Sequence, residues 1–322
     1  MRRNDSAINH QAQPPLLTAR SLWVSVACGI GANLVWGLAF LLPVIVAPTD
    51  SVTLAIGRYL CFGAVSLGIL IGRRGRMLTG VGAREWRQAG LFSLTGHFGY
   101  YLLLVLGILL AGPTIATVII GVLPVSVALT GSWIRREFAV SRLVLPLALI
   151  AVGLAVVYAI ELDWGSGSGR SDIQVIAGVG ATVLALALWT SYAVMNARFL
   201  RDHPSVSSTS WSTLMGVCAL GWGLAALPLA AVAGGMRPAD PGPVLVSSVV
   251  LGVVVSWFGT VLWNRASAIL PVSIAGQMVV LQVMAGLAYV FVWEARLPPL
   301  IELLGMALLI AGVLVALQRT RT

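Results

Sequence analysis

Ten apolar segments separated by short polar breaks run the length of the chain. They can be drawn at about 22–46, 51–72, 88–110, 113–134 and 143–160, and again at about 174–198, 206–233, 243–264, 270–293 and 299–317. Each is close to the roughly 20 residues that carry a helix across a bilayer core. None alternates as a barrel strand would, and a backbone in lipid must bond to itself, so the pattern predicts helices throughout. The expected fold class is an all-α integral membrane protein with ten transmembrane helices.

The polar break at 161–173 contains Gly-Ser-Gly-Ser-Gly at 165–169 and divides the spans five and five. It reads as a flexible external linker. The halves on either side correspond: Trp36 falls where Trp189 sits, Pro113 where Pro271 sits, and the run at 147–153 resembles that at 306–312. Because five is odd, the second half must cross the membrane in the opposite sense to the first. The predicted organisation is a cytoplasmic tail (1–21), a first five-helix repeat (22–160), the linker (161–173), a second, inverted five-helix repeat (174–318) and a cytoplasmic C-terminus (319–322). Inverted repeats with a solute site near the midplane are a recurring transporter plan.

Composition excludes a soluble domain, with 58% of the 322 residues hydrophobic and 10% charged. The net charge of +9 invites a nucleic-acid reading, but the arginines sort by loop. With the amino terminus inside, 16 of the 20 fall on the cytoplasmic side, and only Arg170, Arg237 and Arg296 lie outside. That bias is the positive-inside rule, so the charge reports topology in a bacterial inner membrane and no nucleic-acid partner is expected. Cys28, Cys61 and Cys218 lie within spans without metal-ligand spacing, so neither a disulfide nor a metal is expected. The chain has no lysine, which removes a phosphate-binding P-loop and a Schiff-base mechanism. Neither a cofactor nor catalysis is expected, since the histidines outside the spans, His10 and His203, stand isolated in tail and loop.

Asn-Leu-Val-Trp-Gly at 33–37, Gly57-Arg58-Tyr59, Pro124 followed by Arg-Arg-Glu at 135–137, and Ile-Ala-Gly at 310–312 together resemble the drug/metabolite transporter superfamily. More narrowly the chain is similar to its EamA-type ten-helix exporters, over essentially everything after the tail. The resemblance implies an exporter, and within the family an exporter of aromatic amino acids. The second half departs from the pattern, with Trp211 where the first has Arg58 and Gln282 where it has Pro124.

A midplane site should be lined by polar and aromatic residues three and four apart on single helix faces. Asn33, Trp36, Gly37 and Phe40 form such a stripe on the first span, and Trp189, Tyr192, Ala193 and Asn196 form one on the sixth. His97, Tyr100 and Tyr101 cluster on the third; Trp257, Thr260 and Asn264 follow the same spacing on the eighth. The fourth and ninth offer Thr117, Gly121, Ser273 and Gln277. Interfacial belts account for Trp23, Trp86, Trp133, Trp164 and Trp293 at span ends, but not for rings in mid-span. Aromatic walls with hydroxyl and amide tips suit an amphipathic small molecule such as an aromatic or large apolar amino acid.

Arg58 either binds a substrate carboxylate or satisfies itself by reaching toward Asp50 or backbone carbonyls. His97 is the one mid-span side chain of a type that can titrate near neutral pH, and it serves either as a hydrogen-bonding ring or as a proton carrier. No Asp or Glu lies near the middle of a span, so a carboxylate proton relay has no residue to use and the expected driving force is the substrate gradient. Gly68 and Gly72 are read as a close-packing pair, and Pro43, Pro124 and Pro228 as hinges. The rival readings are an exporter of a small polar amino acid or a cationic drug, and a membrane enzyme. Oligomeric state is not legible.

Overall fold

The computed structural model describes residues 19–46, 51–78, 81–111, 116, 119–135, 140–161, 171–232, 240–295, 297 and 300–319. Most of the tail, most of the 161–173 linker and the last three residues lie outside them, as does Thr117. Regular structure in the described residues is helical. The helices are α1 (Ala19–Ile45), α2 (Ser51–Gly72), α3 (Ala83–Ala111), α4 (Leu123–Arg135), α5 (Val140–Glu161), α6 (Asp172–Asp202), α7 (Ser208–Val232), α8 (Pro241–Ile269), α9 (Val272–Trp293) and α10 (Leu300–Arg319). Seven of them are long and apolar enough to cross a membrane, and Leu123–Ile134, Val144–Gly153 and Leu303–Val315 are shorter apolar stretches.

Local chemistry sets several helix starts. Ser171 opens α6 with a capping box, its Oγ accepting from the Gln174 amide while its own amide donates to Gln174 Oε1. Asp240 caps α8 by accepting from the Gly242 amide, and Pro241 supplies the pre-set first helical residue. In the outer faces, Trp133 and Trp293 are 80% and 56% exposed at helix ends, as belt residues should be.

Irregularities interrupt several of these helices. α3 passes through a π-helical segment at Leu94–Phe98 and α8 through one at Val250–Phe258. The fourth apolar run turns at Val122, and α9 turns at Val279. Both turns tighten to i→i+3 bonds, Val122 N–H to Ile119 O at 3.2 Å and Val279 N–H to Gly276 O at 3.2 Å. Pro124 sits two residues beyond the first break, at the second position of α4, where its missing amide interrupts the regular ladder. Pro43 and Pro228 do lie inside α1 and α7.

In the packing, α10 lies along α5, α7 along α2, and α6 along α3. Both α8 and α9 lie along α1, α9 also packs on α4, and α6 touches α4 and α8. Glycine permits the closest approaches. A methyl group at Gly252 of α8 would meet Arg58 O and Phe62 N of α2, each at 2.7 Å, so only hydrogen fits there. The expected pair Gly68 and Gly72 has open space beside it instead; the small residues that seat α2 are Gly63 against Leu220 and Ser66 against Gly216. Spacing alone cannot tell which face of a uniformly apolar helix meets a neighbour.

Candidate functional site

Three indoles meet at the centre of the bundle. Trp36 of α1, Trp189 of α6 and Trp263 of α8 have ring centroids 6.3, 5.3 and 5.8 Å apart, and all three are buried. Trp189 also meets Tyr100 at 6.4 Å and Tyr192 at 6.1 Å. From Tyr192 the ring series continues to His97 at 5.4 Å and Phe62 at 5.6 Å. Two glycines make room for it: a methyl at Gly96 would run into the Tyr192 ring, and one at Gly259 would come 2.6 Å from Trp36 Nε1.

The π segments serve this assembly. A π turn releases backbone groups from the regular ladder and is frequent at functional sites. Trp36 Nε1 donates to Val255 O inside the α8 segment, at 3.0 Å. Tyr59 Oη donates to His97 O inside the α3 segment, at 2.8 Å. Each distorted turn thus anchors an aromatic donor from a neighbouring helix.

Arg58 stands at one end of the ring series. Its Nε donates to Ser256 Oγ at 2.8 Å, and the guanidinium carbon lies 5.5 Å from the ring centroids of both Tyr59 and Tyr101. Among the described residues no carboxylate pairs with it. The alternative of a partnership with Asp50 falls outside the described residues. Trp257 joins this end, packing against the cluster of Tyr59, Phe62 and Ala219 and donating Nε1 to Thr213 Oγ1 at 3.2 Å.

The opposite end is tied by a buried amide network. Asn196 Nδ2 donates to Asn264 Oδ1 at 2.8 Å, Asn264 Nδ2 to Ser212 Oγ at 2.8 Å, and Trp211 Nε1 to Asn196 Oδ1 at 2.7 Å. All four residues are fully buried. Phe199 stacks on Trp211 at 3.9 Å and on His203 at 4.2 Å, closing the ends of α6 and α7 together.

Several buried polar atoms along the ring series have no hydrogen-bond partner among the described residues: His97 Nε2, Tyr192 Oη, Thr260 Oγ1 and Trp263 Nε1. Leaving such a group unpaired costs about 1–3 kcal/mol, so a cluster of them calls for a reason, and a solute or water that bonds to them is one.

Of the expected lining residues, Trp36, Tyr100, Trp189, Tyr192 and His97 come together in one ring series, with Thr260 in the same turn of α8 as Gly259. Arg58, Tyr101 and Trp257 gather at one end, Asn196 and Asn264 at the other. Asn33 is buried but bonds its own helix, Nδ2 to Gly29 O. Gln277 likewise donates to Ser273 O, with Oε1 unpaired. Phe40 stands apart, 43% exposed and laid against Gly286 of α9. Trp263 and Ser256 were missed by the stripe reading, although Trp263 sits three residues beyond Thr260.

A model of the EamA-like transporter family matches residues 176–318. The chain is 31% identical to the inner membrane protein YtfF of Escherichia coli (strain K12) over 299 residues, 89% of this chain and 92% of that protein. A crystal structure of 19% identity covers 92% of this chain and 97% of its own with a TM-score of 0.74, so the two share a fold.

Proposed function

Because the chain belongs to the EamA-like transporter family, and is therefore a multi-pass inner-membrane transporter, we propose that it exports small amphipathic metabolites by alternating access, with aromatic and large apolar amino acids the best fit. The observation that carries the reading is the ring series from Trp263 to His97, buried between α1, α3, α6 and α8 with unpaired polar tips along it. Rings supply a surface for an apolar body, and the unpaired tips supply the few directional bonds that orient it.

The chain carries this out as ten helices in two inverted repeats, over 22–160 and 174–318, with both termini cytoplasmic. Helix packing supports the duplication. Exchanging each helix for the one five later turns α3–α6 into α8–α1, α1–α9 into α6–α4 and α2–α8 into α7–α3, and all of these contacts exist. The pairs α2–α7, α4–α9 and α5–α10 map onto themselves. The π segments and the two turns obey the same exchange.

In this orientation the Asn196–Asn264 network closes the cytoplasmic end, and the half-buried Arg58 lies toward the outer face. A solute is released outward past Arg58 and the tyrosines; reloading requires the network to part and the indoles to separate. No span carries a central carboxylate, so export runs on the substrate gradient, with His97 a neutral bonding ring. Counterflow of labelled amino acids into proteoliposomes of the purified protein, with and without an imposed proton gradient, tests this. Saturable exchange of phenylalanine or tryptophan without the gradient is expected; exchange of only small polar amino acids or of cationic drugs would favour the rival.

A further inference from the structure

Among the described residues the ring-lined interior carries one formal charge, and it is positive. Arg58 lies seven residues into α2, while every described Asp and Glu falls within the first or last turn of a helix or just beyond it. Apart from Ser256 and the two tyrosine rings, no group among the described residues engages its guanidinium. A solute that brings one negative charge cancels this one. A zwitterionic amino acid brings the same carboxylate together with an ammonium one carbon away, which then sits close to the guanidinium with no counter-charge in a medium that screens poorly.

The unpaired acceptors, Tyr192 Oη, Thr260 Oγ1 and His97 Nε2, carry no negative charge to offset an ammonium. The Tyr59 and Tyr101 faces hold the Arg58 cation, and a second cation gains little there. The two carbonyls exposed by the π segments, Val255 O and His97 O, accept from Trp36 and Tyr59. Trp263 Nε1, unpaired in the same interior, is a donor only and suits an anion or a carbonyl.

We propose that the site binds aromatic monocarboxylates, anions of the arylacetate and arylpropionate type, more tightly than the amino acids that carry the same ring. Amino acids remain substrates, at lower affinity. The inference rests on the reading of the ring-lined interior as the transport site.

The test is inhibition of labelled phenylalanine counterflow in proteoliposomes of the full chain, by matched sets sharing one ring: 3-phenylpropionate, phenylalanine and phenethylamine, then 3-indolepropionate, tryptophan and tryptamine. Protein-free liposomes correct for passive permeation. The carboxylate should inhibit at least about tenfold more strongly than the zwitterion, and the amine least, the order set by one like-charge contact in a poorly screening medium. In Arg58→Gln the carboxylate should lose its advantage; in Arg58→Lys, which keeps the charge and serves if the glutamine variant does not fold, the order should persist with weaker binding overall. A zwitterion that inhibits as well as its carboxylate, or an order unchanged in Arg58→Gln, would overturn the inference while leaving the transport reading intact. Absence of counterflow by any aromatic solute would defeat that reading, and the inference with it.

Discussion

Replacing Asn264 by Ala removes the acceptor of Asn196 Nδ2 and the donor to Ser212 Oγ, two bonds between fully buried groups on three helices. Interhelical hydrogen bonds of this kind contribute about 0.6 kcal/mol each on average in membrane proteins, so the pair holds the end shut by about 1.2 kcal/mol. Since 1.4 kcal/mol is a factor of ten, the population with this end open should rise about sevenfold. Ser267, three residues further along α8, is 1% exposed with its hydroxyl unpaired, so Ser267→Cys places a thiol of similar size where only opening reveals it. With Cys28, Cys61 and Cys218 replaced by Ala, the rate of maleimide labelling of that thiol in membranes reads the open population. Labelling of the Asn264→Ala protein that is no faster than that of its parent, in material with an unchanged gel-filtration profile, would refute the idea that the amide network is a gate.

Trp189 touches four rings where Trp36 touches two, and aromatic pairs contribute about 0.5–1.5 kcal/mol each beyond their area. Trp189→Ala should therefore lower counterflow of phenylalanine and tryptophan more than Trp36→Ala does, and both should spare threonine; equal loss for all solutes counts against an aromatic site. Gly252→Ala forces α2 and α8 apart and should destabilise by about 1–3 kcal/mol, seen as a lower unfolding temperature in detergent, whereas Gly180→Ala meets open space and should gain up to about 1 kcal/mol of helix propensity. Matching temperatures for the two would show that the α2–α8 contact is loose. His97→Gln should keep gradient-independent exchange; a strict dependence on the pH gradient that this substitution abolishes would make His97 a proton carrier.

The helical spans were legible because lipid demands long apolar runs, and Trp36 and Trp189 were legible as partners because mid-span indoles need an interior to face. Trp263 was not. Thr260 and Asn264 were read with Trp257 at regular helical spacing, but the π segment ending at Phe258 shifts the phase of everything beyond it. Trp257 therefore turns toward Tyr59 and Phe62, and Trp263 takes the place beside Trp36. Phe40 failed for a simpler reason: α1 is apolar all round, so a fourth residue in the stripe can leave the interior without any change in pattern. Nothing in residue spacing marks the turns at Val122 and Val279 either; Pro124 hints at the first, and the second half has no proline to match it.

Photolabelling reports the position of the solute directly. A radiolabelled diazirine derivative of phenylalanine, activated in proteoliposomes and followed by peptide mapping, should form adducts on the segments bearing Trp36, Trp189, Tyr192 and Trp263, and unlabelled phenylalanine should compete them away. Competable adducts confined to outward-facing positions such as Trp133 or Trp293, with the buried indoles untouched, would contradict the account.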